Sequence, residues 1–120
     1  MTDRELLELA AKAAGIALSH WNDGLEPYSS GEGYVLLDNR LWNPLLDDGN
    51  ALRLAVKLGM TISLIPPYEN DSYCSVVADW SDETGYPRTS IRIKHAGDPL
   101  AATRRAIVRA AAELAKQEKV

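Results

Sequence analysis

At 120 residues, 46% hydrophobic and 25% charged, the chain has the size and composition of one self-folding domain, which excludes two ordinary domains and a disordered segment. A net charge of −4 and an isoelectric point near 5.1 oppose strong general phosphate binding. The single cysteine, Cys74, excludes an intrachain disulfide and a multi-thiolate metal site.

No apolar run approaches the ~20 residues that span a bilayer, and Met1-Thr2-Asp3-Arg4-Glu5 lacks the basic and apolar regions of a signal peptide. A cytosolic location with no membrane partner is expected. The charge is uneven: residues 1–87 hold 14 acids and 5 bases, residues 88–120 hold 3 acids and 8 bases. Such asymmetry marks either a charged partner surface or a solvated helix face.

Thr2-Asp3-Arg4-Glu5 has capping-box spacing and predicts a first helix, with Leu6, Leu9, Ala10 and Ala13 on one face. Gly15 supplies the left-handed residue that closes a helix, and Ile16 the apolar residue that packs back. Residues 16–21 read as a strand with Ile16, Leu18 and His20 facing one way. Residues 22–33, with three glycines, a proline and two serines, read as a loop. Tyr34 to Asp38 is a second strand, and Asn39-Arg40 turns the chain towards Leu41-Trp42-Asn43-Pro44-Leu45.

Asp47 or Asp48 caps a second helix whose body runs from Ala51 to Leu58, and Gly59-Met60 repeats the closing device of Gly15-Ile16. Three strands follow, at Thr61–Ile65, Tyr73–Trp80 and Arg88–His95. They are separated by Pro66-Pro67 and by the turn at residues 81–87. In the last strand Ile91 and Ile93 face the core, while Arg88, Ser90, Arg92 and Lys94 face away.

Asp98-Pro99 opens a third helix, with the carboxylate as cap and proline where no amide hydrogen is needed. Its apolar stripe is Leu100, Ile107, Val108, Ala111, Leu114 and Ala115; Arg104, Arg105, Arg109 and Lys116 are left for solvent or a partner. The expected fold is α+β, in the order α-β-β-α-β-β-β-α: one domain over residues 1–120, an antiparallel sheet with helices packed on one face.

The residues that carry chemistry are sparse. His20, His95 and Cys74 lack the short fixed spacing of a zinc motif, so hydrogen-bonded structural histidines and a buried thiol are the plainer reading. There is no Gly-x-Ser-x-Gly elbow, Walker loop or Gly-x-Gly-x-x-Gly, and Gly31-Glu32-Gly33 is too short a match for phosphate binding. Asp47 and Asp48 form an acidic pair suited to a divalent ion or acid–base work, but capping explains one and exposure the other. Trp21, Trp42 and Trp80 each sit near a strand end beside polar groups, where a tryptophan either lines a ligand site or packs in the core. No catalytic residue, cofactor or metal is expected.

Two resemblances bear on function. The second helix, the last three strands and the third helix have the segment order of a double-stranded-RNA-binding domain, and Arg104-Arg105 followed by Ala110-Ala111-Ala112 is similar to that family's basic final helix. The lysine-rich entry of that helix is replaced here by Asp98-Pro99-Leu100. The segments Trp42 to Leu58 and Ala102 to Ala112 resemble small bacteriophage and prophage proteins, loosely the phage NinX-like group. That resemblance implies an accessory protein in a bacterial cytoplasm, with no activity to transfer.

Three functional expectations follow. The first is a non-enzymatic accessory protein that binds a host or phage macromolecule, most simply a protein, through Trp21, Trp42, Asn43, Asp47 and Asp48. In the second, Arg88, Arg92, Lys94, Arg104, Arg105 and Arg109 bind nucleic acid. The third is a small-molecule or nucleotide pocket around Trp21, Trp42 and Asp47.

Overall fold

The computed structural model describes residues 1–24, 31–64, 73–78, 89–94 and 97–117. The elements are α1 (Asp3–Ala14), β1 (Leu18–Asn22), β2 (Gly33–Leu36), β3 (Leu41–Trp42), α2 (Asp48–Lys57), β4 (Met60–Leu64), β5 (Tyr73–Ala78), β6 (Thr89–Lys94) and α3 (Pro99–Gln117). The α+β class and the order of elements are as the sequence predicts, with the two-residue β3 added. The described strands form two antiparallel meanders, β1-β2-β3 and β4-β5-β6. Trp80, Arg88, His95 and the turn at 81–87 lie outside the described residues.

Local chemistry accounts for the helix ends. The Thr2 hydroxyl accepts from the Glu5 amide (3.2 Å), and Gly15 turns left-handed at φ 69°. Its amide returns to Lys12 O (3.2 Å) and that of Ile16 to Ala11 O (2.9 Å), so two carbonyls that would otherwise lack partners are satisfied. For α2 the cap is Asp47, whose Oδ2 accepts from the Asn50 amide at 2.7 Å. Asp98 Oδ1 accepts from the Ala101 amide at 3.0 Å, and α3 begins at Pro99.

The core forms where α1 and α2 pack on α3. The buried face of α1 is Leu7, Ala10, Ala11 and Ala14, so Ala10 is buried as expected while the face is rotated by about one residue from Leu6, Leu9 and Ala13. The partner is α3, which buries Ala106, Ala110, Ala111 and Ala115, and Leu6 and Ala13 pack at the edge of the shared core. Helix α3 is enclosed on more than one side, with Val108 and Leu114 fully buried. Its expected stripe begins late, because Leu100 in the first turn is 62% exposed.

One face of β4-β5-β6 is covered by helices, with Met60, Ile62, Ile91 and Ile93 packed against the core. Thr61, Ser63, Ser90, Arg92 and Lys94 are exposed on the other. In β1 a register shift between Leu18 and His20 breaks the expected alternation. It turns Trp21 inwards, and His20, expected to share a face with Leu18, is exposed, with its ring Nδ1 3.1 Å from Ser19 Oγ.

Candidate functional site

Asn50, Arg53, Leu54 and Lys57 recur at helical spacing and therefore share one face of α2. Leu54 is buried at the base of that face; Arg53 and Lys57 are exposed above it. Opposite stands the β2–β3 hairpin, whose turn is built by residues 37–40. The Asn39 amide donates to Leu36 O (3.0 Å), Asn39 is left-handed at φ 68°, and the Leu36 amide closes on Arg40 O (2.9 Å). Asp38 accepts from both the Arg40 amide (3.2 Å) and Arg40 Nε (2.7 Å). The amide bond, aided by the guanidinium, holds the Asp38 carboxyl below its usual range. This side-chain turn ends β2 at Leu36, two residues before the expected Asp38.

Between α2 and the hairpin lies a cleft of about 340 Å³. Ile16, Leu36, Leu41, Trp42 and Leu54 form its apolar floor, and Arg40, Arg53 and Lys57 are its charged residues. No carboxylate lines this lobe. Arg53 Nη2 donates to Asn50 Oδ1 at 3.0 Å, which orients the guanidinium without neutralising it. A second lobe of about 470 Å³ shares Arg40, Leu41, Asn50 and Arg53 with the first and adds Asn43 with the carboxylates of Glu32 and Asp47.

Asn43 lines the second lobe and is held in place by several hydrogen bonds. Its Nδ2 donates to Glu32 O (2.9 Å), its Oδ1 accepts from the Leu45 amide (3.0 Å), and its backbone carbonyl accepts from the amides of Leu46 and Asp47. Gly33 passes beneath, where a Cβ would lie 2.8 Å from Trp42 O and 2.9 Å from Asn43 Cβ. Only glycine fits there.

The residues expected to contact a partner are dispersed. Trp42 (5% exposed) and Asn43 (6%), expected as exposed contacts, are buried: one closes the cleft floor, the other braces the turn into α2. Asp47 caps α2 and borders the second lobe. Asp48 pairs with Arg104 Nη1 at 2.7 Å. Trp21 lines neither lobe: it meets Tyr34 edge-on, with ring centroids 5.0 Å apart, and lies under the Arg4 guanidinium at 4.8 Å. The Tyr34 hydroxyl donates to Glu8 Oε1, and burial, then this bond, raises the phenol above its ordinary value. This cluster fastens α1 to the first sheet. The expected pocket of Trp21, Trp42 and Asp47 is therefore not assembled, although Trp42 and Asp47 border adjoining lobes.

The basic set also divides. Arg104, expected to be open to solvent or a partner, has a side chain only 16% exposed; its Nε donates to Leu45 O (2.8 Å) besides pairing with Asp48. Arg105 pairs with Asp3 at 3.2 Å, fastening α3 to the start of α1. Arg92 and Lys94 are exposed on β6, and Arg109 on α3. Sequence reasoning missed Arg40, Arg53 and Lys57. The spacing of Arg53, Leu54 and Lys57 along α2 signals one shared face, but nothing in the sequence joins Arg40 to it.

Among the described residues no group of three or more His, Cys, Asp or Glu side chains converges as a metal site, and no helix is long and apolar enough to cross a membrane. No protein-family model matches the chain, and no curated protein or solved structure matches it significantly.

Proposed function

We propose that this chain is a non-catalytic binding protein that captures a small anionic ligand in the cleft between α2 and the β2–β3 hairpin. The observation that carries this reading is the first lobe: Arg53 and Lys57, with Arg40 already paired to Asp38, border an apolar floor in a chain whose net charge is −4. Its ~340 Å³ lies within the range of ~300–1,000 Å³ typical of small-molecule sites, which pair an apolar lining with a few placed polar groups. The burial of Trp42 and Asn43 weighs against macromolecular docking on those residues. An accessory role in a bacterial cytoplasm is proposed with it, as the resemblance of residues 42–58 and 102–112 to phage-encoded proteins implies.

The test is thermal unfolding of the full chain at low salt with inorganic phosphate, pyrophosphate or citrate. A ligand that binds only the folded state raises the melting temperature. The rise is expected in the wild type and absent in the Arg53→Gln/Lys57→Gln variant, with the ligand recovered chemically unchanged. No rise with any of these anions would sink the reading.

A second reading has one observation of its own. The unit α2-β4-β5-β6-α3 has the segment order of a double-stranded-RNA-binding domain and exposes Arg92 and Lys94 on its open sheet face. If that face binds RNA, affinity falls steeply with salt and with Lys94→Gln; undetectable RNA binding at low salt rejects it.

A further inference from the structure

The outer strands of the two described sheets are β1 and β3 in the first, β4 and β6 in the second. A bare sheet edge is a row of unpaired amides and carbonyls that templates another strand, so proteins blunt it with charge, brevity or a break in register. Three of these strands carry such a device: β1 shifts register between Leu18 and His20, β3 has 2 residues, and β6 carries Arg92 and Lys94. Strand β4 carries none. Met60-Thr61-Ile62-Ser63-Leu64 is uncharged, free of proline and paired with β5 along its whole length without a break. Among the described residues, no hydrogen bond reaches its outer side.

We propose that two copies of this chain associate through β4, antiparallel about a two-fold axis at Ile62, so that their three-stranded sheets continue into one.

The strand complements itself in that arrangement. Met60, Ile62 and Leu64 alternate onto the face of β4 that the helices cover, yet Met60 and Ile62 are only half-buried and Leu64 is 62% exposed. An axis at Ile62 sets Met60 opposite the partner's Leu64 and Ile62 beside the partner's Ile62, which makes one continuous apolar row. On the other face the exposed Thr61 meets the partner's Ser63, a favourable cross-strand pair of hydroxyls. The register holds whichever residues direct their amides outwards, because residues on either side of Ile62 pair symmetrically and form about four to six backbone hydrogen bonds. The β6 edge lacks this property: the same operation about Ile93 sets Arg92 against the partner's Lys94, and like charges directly opposite repel.

Sedimentation equilibrium of the full chain over a concentration series tests the proposal. The mass is expected to rise with concentration from 13.2 kDa towards twice that value. Thr61→Lys/Ser63→Lys, both on the exposed sheet face, sets like charges opposite each other across the axis and is expected to weaken association about tenfold or more. Thr61→Glu/Ser63→Lys sets unlike charges opposite each other and is expected to associate at least as tightly as the wild type, which a general penalty for edge charge does not produce. A wild-type mass that stays at 13.2 kDa throughout overturns the proposal. So does association that the lysine pair leaves unchanged, or that both double variants weaken equally. A chain that remains monomeric but captures a foreign protein, and loses it on Thr61→Lys/Ser63→Lys, gives the edge to another protein's strand and overturns the proposal as well.

Discussion

Asn43 shows how one buried polar side chain fixes the geometry around it. Its two hydrogen bonds join residue 32 to the turn before α2, and removing them strands the Leu45 amide and Glu32 carbonyl. Residue 32 is exposed, so water can take up its carbonyl, whereas the bond to the Leu45 amide is buried; an unpaired buried group costs ~1–3 kcal/mol, so Asn43→Ala is expected to destabilise by about 1–3 kcal/mol in urea unfolding. Tyr34 carries a pH signature. Its phenol is raised in the folded state, so the contribution to stability is fully present below pH 10.0 and is lost as pH rises through the folded value. Stability of the wild type should therefore fall in strong alkali more than that of Tyr34→Phe, which lacks the titrating group; parallel curves would contradict this.

At the scale of elements, caps were legible and faces were less so. Thr2, Gly15, Asp47, Asp98 and Pro99 announce helix ends because each satisfies, or has no need of, a specific terminal hydrogen bond. A left-handed conformation is unfavourable for other residues, and no atom lies within 4 Å of a Cβ added at Gly15. Gly15→Ala should cost ~1–2 kcal/mol from the backbone alone. The rotation of α1 and the bulge in β1 were not legible, since both are set by partners distant in sequence. Arg104 was misread for the same reason: its carbonyl partner, Leu45, lies 59 residues away. Hydrogen bonds to charged groups contribute ~1.5–3 kcal/mol, whereas exposed ion pairs contribute ~0–1. Arg104→Ala is therefore expected to destabilise by about 2–3 kcal/mol, and Asp48→Ala, whose side chain is 67% exposed, by less than about 1. Equal effects would place the energy in the ion pair instead.

Across the whole molecule, α3 is the common support: α1 and α2 pack on it, and it covers one face of the second sheet. The α+β class and order of elements were readable from periodicity and punctuation. The candidate site was readable only in part. Arg53, Leu54 and Lys57 share a helical face by spacing, but the cleft exists because the 37–40 turn brings Arg40 and Leu41 across from α2. An acidic chain with a local cation cluster should attract anions there despite its net charge, and that attraction should weaken with salt.

The central claim is that this cleft is the binding site. The most direct measurement is a heteronuclear NMR titration of the full chain with pyrophosphate at low salt. The account predicts amide shifts at Ile16, Leu36, Arg40, Leu54 and Lys57, with Arg92 and Lys94 unmoved; shifts confined to β6, or none, would contradict it.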